Sequence, residues 1–361
     1  MDTALGIIVP RRRSDYSMSM ADLHPGDVHL VGSIGLPRVK DVFHTVGPLL
    51  GSRLRRIPDG ETGARRSWIG WQQVVVRANP FLAADPSQRS PTSGLALMGL
   101  APGVAAKDVE FGELGYAHEA RASYQLFLAA RKAGDIPKGV RFQVCLPTPL
   151  AVACSNIART NFREIEKAYE KAMLAEVDAI CAAIRHKDLS IQWDVCHDMI
   201  MWDRQLPAFA PPFDDLEGEI LARIKRLCDR VPNDVDCGIH LCYGDNGAKH
   251  FVEPRDTANL VSFANAISRA VSRPLAYIHM PVPISRTDDE YFRPLQNLKL
   301  KKGTGLYLGL VHGDGAAKIK QRIAAAQRYV SNFGIATECG IARAKQPDRV
   351  ITLLKAHKLA K

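Results

Sequence analysis

The stretch Gly238-Ile239-His240-Leu241-Cys242-Tyr243-Gly244-Asp245 is a short apolar run that ends in His-x-Cys and breaks into a glycine loop. On an extended strand, residues two apart point to the same side. His240 and Cys242 therefore present an imidazole nitrogen and a sulfur to one point in space, and both are preferred zinc ligands. Two ligands do not make a zinc site, and His-x-Cys often arises by chance. The stretch also reads as the end of a buried strand. What it means depends on what repeats around it and what else ends beside it.

Working outward, the same unit recurs. Val28 to Gly35 reads as a buried strand breaking into a glycine loop, and Val39 to Leu50 as a helix. Arg55 to Gly63 is a second strand end, with a carboxylate on a tight loop, and Arg65 to Ala78 is helical. Residues 79–110 hold Pro, Ser and Gly with few apolar runs, which suggests a long excursion over the mouth of the fold. Gly112 to Ala133 is an alanine-rich helix, and Val140 to Pro149 is a third strand ending in prolines that cannot continue it. Asn161 with Glu164 makes a capping box for a helix running to about His186. Leu189 to Val195 is strand four, residues 198–213 are a loop, and Asp215 to Arg230 is a helix. The His-x-Cys strand is the fifth. Asp256 to Val271 follows as a helix, and Leu275 to Pro283 and Gly305 to His312 are strands six and seven. A helix over Ala316 to Asn332 precedes strand eight, Gly334 to Gly340, and Pro347 to about His357 is a final amphipathic helix.

Strands alternating with helices argue for a parallel sheet. A count of eight argues for closure into a (β/α)8 TIM barrel over residues 25–361, after an irregular leader over 1–24 and with loop insertions over the C-terminal mouth. An open doubly wound sheet is the rival. No GxGxxG follows the first strand, so its dinucleotide-binding version loses ground. A length of 361 residues suits one barrel with insertions.

The bulk composition sets limits. A hydrophobic content of 46% with 24% charged residues is that of an ordinary globular protein with a full core. The net charge of +10 is spread out, with only Arg11-Arg12-Arg13 and short pairs clustering, and no nucleic-acid-binding signature accompanies it. Eight cysteines without a CxxC pair read as reduced thiols in a cytoplasmic protein. No apolar run reaches the roughly 18 residues of a membrane span. The apolar stretch Ala4 to Pro10 has its charges after it, the wrong order for a secretory signal.

In a barrel of this type, functional residues sit at the C-terminal ends of the strands, facing one mouth. Those ends carry Ser33, Glu61, Thr148, Asp194, His240, Cys242, His279, His312, Glu338 and Cys339. Each has a bland reading: His312 as a structural histidine, Cys339 as a buried thiol, Glu61 as a turn carboxylate bonding its own backbone. Their shared location favours a site. His240, Cys242 and Cys339 supply one nitrogen and two sulfurs, a soft set that selects zinc, and three protein ligands with an open position suit a catalytic ion. His279, a carboxylate such as Glu338, or substrate would fill the fourth position.

The pattern resembles the C-terminal catalytic barrel of cobalamin-independent methionine synthase, within the group that includes uroporphyrinogen decarboxylase and epoxyalkane:coenzyme M transferase. Val31-Gly32-Ser33 is similar to that family's first Ile-Gly-Ser strand, and Gly60-Glu61 to its His-Gly-Glu. Pro147-Thr148 is similar to its Gly-Pro-Val-Thr loop, and Ile191-Gln192-Trp193-Asp194 to its Ile-Gln-Ile-Asp. Ile239-His240-Leu241-Cys242-Tyr243 resembles the zinc-binding His-Met-Cys-Tyr, Val311-His312 the Asp-Ile-His, and Glu338-Cys339-Gly340 the Asp-Cys-Gly. Seven motifs fall in the family's order. The resemblance implies zinc on His240, Cys242 and Cys339, substrate contacts from Ser33, Glu61, Thr148 and Asp194, and His312 as proton donor. Where the family has a zinc Glu at the end of strand six, this chain has Ile278-His279-Met280-Pro281, which makes His279 the candidate replacement. Val195-Cys196 replaces the Glu-Pro after the strand-four Asp, and nothing in the sequence corresponds to the folate-binding N-terminal half. These departures weigh against homocysteine and polyglutamylated folate as substrates.

The expected function is a zinc-dependent alkyltransferase, most simply a methyltransferase, using a small-molecule thiol and an alkyl donor. A thiol is mostly protonated at neutral pH, and zinc removes the proton and delivers a thiolate. A thiol–epoxide transferase of the coenzyme M type is a variant of this chemistry. The main alternative is a metal-independent lyase or decarboxylase, with Arg65, Arg66, Lys249, Arg286 and Arg343 binding substrate carboxylates; it would need no thiol. A non-catalytic binding protein is a third reading. Neither nucleic acid nor membrane is an expected partner, and a homodimer is an expected assembly. Trp68, Trp71, Tyr116, Trp193, Trp202, Tyr243 and Tyr291 either line the mouth or pack helices onto the barrel.

Overall fold

The computed structural model describes residues 22–206, 213–244, 249–344 and 347–359. The chain runs α1 (Val39–Leu50), β1 (Arg56–Pro58), α2 (Gln72–Arg77), β2 (Leu82–Arg89), β3 (Ala96–Leu100), α3 (Tyr116–Ala133) and β4 (Arg141–Pro147). It continues through α4 (Pro149–Asn156), α5 (Phe162–Ala183), β5 (Leu189–Val195), α6 (His197–Asp203), α7 (Leu216–Arg230) and β6 (Asp236–Leu241). The remainder is α8 (Ala258–Ala270), β7 (Tyr277–Pro281), α9 (Asp289–Phe292), β8 (Gly305–Gly309), α10 (Ala316–Gln327), β9 (Gly334–Ile335) and α11 (Pro347–Ala356). No described helix is long and apolar enough to cross a membrane.

Seven strands form one parallel sheet in the order β1-β4-β5-β6-β7-β8-β9. The sheet curls, for Val28 bridges in parallel both to Leu54, just before β1, and to Ile335 in β9. This mixed α/β arrangement is compatible with a TIM-barrel-like fold. Beneath the curled sheet, Leu23 packs against Tyr277 and Tyr307, so the described end of the expected leader belongs to the core. Residues 1–21, with the Arg11–Arg13 cluster, lie outside the described residues.

The strands alternate in an unusual sense. In β5 all seven residues are buried. Leu189, Ile191, Trp193 and Val195 are apolar, whereas Ser190, Gln192 and Asp194 form a polar row. A strand turns successive side chains to opposite faces, so the helices receive the apolar row and the interior receives the polar one. Register carries this row from strand to strand: Asp194 stands level with His240, His240 with His279, and His279 with Tyr307. Bulky interior rings need space. Gly238 is the register partner of Tyr277, and Gly334 that of Tyr307; a Cβ at either glycine would sit inside the partner's ring.

Several local expectations differ from what is observed. Asn161 precedes α5 in the left-handed region, φ 61°, and makes no side-chain cap bond, so there is no capping box with Glu164. The helix expected over Arg65 to Ala78 is a 3₁₀ turn over Gly63–Ser67 followed by the short α2. The excursion over 79–110 contains the antiparallel hairpin β2–β3. The loop expected over 198–213 holds α6 instead, with residues 207–212 outside the described set. The last strand is two residues long, and Ala336 still bonds beside it, donating to Leu308 O and accepting from Val311 N, both at 2.9 Å.

Gly238→Ala should force the buried Tyr277 ring to move and destabilise the protein by about 1–3 kcal/mol. Urea unfolding should show this as a lowered midpoint at unchanged slope.

Candidate metal centre

His240 is the penultimate residue of β6, and Cys242 extends the same strand direction, its N–H donating to Val195 O at 3.1 Å. Cys339 arrives from the other end of the chain, on a turn in which Thr337 Oγ1 donates to Cys339 O at 2.7 Å. One ligand atom from each of the three lies within 4.8 Å of the others, and all three residues are buried. The two sulfurs are 3.9 Å apart. A tetrahedral ion with Zn–S bonds of about 2.3 Å separates its sulfurs by roughly 3.8 Å. The donor set and the spacing therefore fit zinc.

His279 stands behind this trio. Its Nδ1 lies 2.7 Å from Nδ1 of His240, and its Nε2 lies 3.1 Å from Thr337 O. Both ring nitrogens are engaged by protein partners, which sets His279, the candidate fourth ligand, beside His240 and outside the trio. Burial pushes its pKa down to about 3.

Two carboxylates line the same cavity as the trio. Glu61 has a positive φ of 49° and follows Gly60 at φ 82°; for the non-glycine Glu61 this is a strained conformation that needs outside support. Asp59 supplies that support. It accepts from Glu61 N at 3.0 Å, from Arg65 Nη2 at 2.7 Å and from Ser123 Oγ at 2.7 Å. Burial opposes the charge on Asp59, yet Arg65 and these bonds hold its pKa below the usual value. Asp194 accepts from Gln192 Nε2 at 2.8 Å and from Trp68 Nε1 at 3.3 Å, which fixes both oxygens.

The cavity measures ≈ 230 Å³ and is lined by Ser33, Glu61, Asp194, His240, Cys242 and Cys339 among others. Six of the expected site residues thus meet at one place, while Thr148, His279 and His312 are not among its walls. Thr148 caps α4 by accepting from Ala151 N at 3.2 Å, and its hydroxyl donates to the buried Asp198 at 2.7 Å. His312 Nε2 lies 2.9 Å from Val282 O and its Nδ1 is 3.9 Å from Glu338 Oε1. Burial, then Arg322, lowers its pKa to about 4, so the ring is neutral at neutral pH.

The walls also include residues that sequence reasoning missed: Ser155, Asn156 and His197. His197 opens α6, where a loop was expected, so no signal marked it. Its Nε2 lies 3.2 Å from Ser155 Oγ, and burial lowers its pKa to about 4. Of the seven aromatics considered for the mouth, only Trp68 is among the walls, its ring parallel to His197 at 6.1 Å. Trp71 packs edge-on against Tyr116 and Trp202 stacks on Phe263. No described Lys or Arg lines the cavity. Arg65 is taken by Asp59 and Glu119, Arg66 donates to Leu36 O, and Arg286 pairs with Asp288. Lys249 is exposed, and the Arg343 side chain lies outside the described residues.

No family model matches the chain, and no curated protein matches it. Solved structures do. A B12-independent methionine synthase from Shewanella sp. W3-18-1, in complex with selenomethionine, is 14% identical with a TM-score of 0.58, over 92% of this chain and 97% of that one. A putative vitamin-B12 independent methionine synthase from Listeria monocytogenes is 14% identical with a TM-score of 0.55, over 90% of this chain and 85% of that one. At such identity the likeness is one of fold.

Thr148→Ala should lower stability by about 2 kcal/mol, from the lost cap and the orphaned Asp198 oxygen. The same variant should leave the affinity for any cavity ligand unchanged, which calorimetric titration would check.

Proposed function

We propose that this protein is a zinc-dependent alkyltransferase of the methionine-synthase type, transferring an alkyl group, most simply methyl, to a small-molecule thiol. The observation that carries the reading is the convergence of one imidazole and two cysteine sulfurs on a cavity that is also lined by two carboxylates, Glu61 and Asp194. Residues 27–31 serve, on this reading, as the eighth strand of a closed (β/α)8 barrel. Support comes from Val28 N donating to Arg53 O at 2.8 Å, and from His29 N to Ile335 O and Ile335 N to Asp27 O, both at 2.9 Å.

His240, Cys242 and Cys339 would hold the zinc, leaving one position for substrate. When bound there, zinc lowers the pKa of a coordinated thiol and makes it nucleophilic at neutral pH. The chain's own residues do the rest. Glu61 and Asp194 hold a cationic or hydroxylated part of a substrate. Each is pre-aligned, Glu61 by Asp59 and Asp194 by Gln192 and Trp68. Fixed acceptors of this kind orient the thiol toward its electrophile and lower the entropic part of the barrier. His312, neutral and behind the cavity walls, keeps at most the role of a proton relay, its Nδ1 3.9 Å from Glu338 Oε1. The decarboxylase alternative needs cations for substrate carboxylates, and the cavity has none among the described residues.

Zinc analysis of the purified protein is expected to show stoichiometric metal that Cys242→Ser loses. Alkyl transfer should require a thiol co-substrate and cease on chelation; a metal-free wild-type enzyme at full activity would falsify the reading. Glu61→Gln should reduce kcat/KM by about 10–100-fold, the loss of one hydrogen bond to a charged group. His312→Gln at full turnover would remove His312 from the mechanism.

A further inference from the structure

We propose that His279 is the positioning residue of the metal centre: bonded between Thr337 O and His240 Nδ1, it holds His240 in the tautomer whose Nε2 lone pair is left for the metal. The inference rests on the metal reading above and assigns the strand-β7 histidine a role other than ligation.

The argument is one of donor and acceptor bookkeeping. A backbone carbonyl only accepts, so the 3.1 Å contact between Thr337 O and His279 Nε2 places the proton on Nε2. His279 is fully buried, its neighbours are the rings of His29 at 5.7 Å and His240 at 4.8 Å, and no carboxylate is among its partners. An imidazole with its proton on Nε2 presents Nδ1 as an acceptor. The 2.7 Å contact between the two Nδ1 atoms then requires His240 to donate. A neutral His240 that donates from Nδ1 has its lone pair on Nε2, the one nitrogen left for an ion shared with Cys242 and Cys339.

The two rings meet because of strand register. His240 and His279 are partners across β6 and β7, so their side chains emerge at one level on one face. Thr337 closes the other end. Its carbonyl takes the His279 proton while its hydroxyl donates to Cys339 O, so the same residue braces the histidine ligand and the turn that carries the last cysteine. Ligation by His279 itself would require breaking one of its two bonds. Outer partners of this kind fix ring orientation and raise ligand basicity, and losing one typically costs about 10–100-fold in metal affinity.

Zinc affinity by competition with a chromophoric chelator, together with X-ray absorption of the zinc-loaded proteins, tests the role. His279→Phe and His279→Asn should bind zinc about 10–100-fold more weakly. His279→Gln, whose amide can donate toward Thr337 O and accept from His240, should stay within a few-fold of wild type. Absorption spectra should show the same nitrogen and sulfur ligands in every variant. If His279→Phe fails to fold, the contrast between Asn and Gln still decides. Equal zinc affinity in the Asn and Gln variants, or loss of one imidazole from the coordination shell, would overturn the proposal. A wild-type protein that binds no zinc would instead overturn the metal reading beneath it.

Discussion

The structure depends on a row of polar side chains turned into the interior of a curled parallel sheet. Burying such groups costs free energy unless each finds a partner, and here the partners are one another. Gln192 is the hub. Its Oε1 accepts from Tyr277 Oη at 2.9 Å and lies 2.9 Å from His29 Nε2, while its Nε2 donates to Asp194 Oδ1 at 2.8 Å. Lower down, the buried Arg56 lies over the Tyr277 ring at 4.3 Å and reaches Asp236 at 3.0 Å. A network as densely bonded as that around Gln192 admits few arrangements.

That network and the cavity are continuous. Asp194 is both the last partner of Gln192 and a cavity wall. His240 is both a member of the level row and a member of the metal trio. The helices outside contribute steadiness through apolar packing, and the loops contribute the carboxylate of Glu61 and the sulfur of Cys339. Glu61 shows how a loop residue is made exact enough for chemistry: its strained backbone is held by Asp59, whose own charge is held by Arg65. The β2–β3 hairpin completes the enclosure, since Thr92 and Ser93 at its turn are among the cavity walls.

Much of the fold was legible because strand ends announce themselves. Seven of the eight expected strands fell at observed ones, with the His-x-Cys run at β6, while the first, Val28 to Gly35, is only a bridge at Val28. The convergence of His240, Cys242 and Cys339 was legible for the same reason, as was that of Ser33, Glu61 and Asp194. What was not legible was the partner of a side chain. Thr148 ends a strand, as expected, but its hydroxyl serves the next helix and Asp198. Asn161 sits at a helix start, yet its left-handed backbone carries its side chain away from the cap. His197 was invisible, because nothing in Val195-Cys196-His197-Asp198 marks a helix beginning at a cavity wall.

His279 illustrates the division best. By itself the sequence determined that a histidine ends the sixth strand beside His240 and Cys242, because alternation along a strand is local. Whether that histidine binds a metal or supports the residue that does is decided by where Thr337 O lies, 58 residues away in sequence. Only tertiary structure brings that carbonyl to its Nε2. Periodicity and turn chemistry act over a few residues and can be read from the chain. Hydrogen-bond partners across the interior are set by register and closure, and these exist only once the sheet has curled.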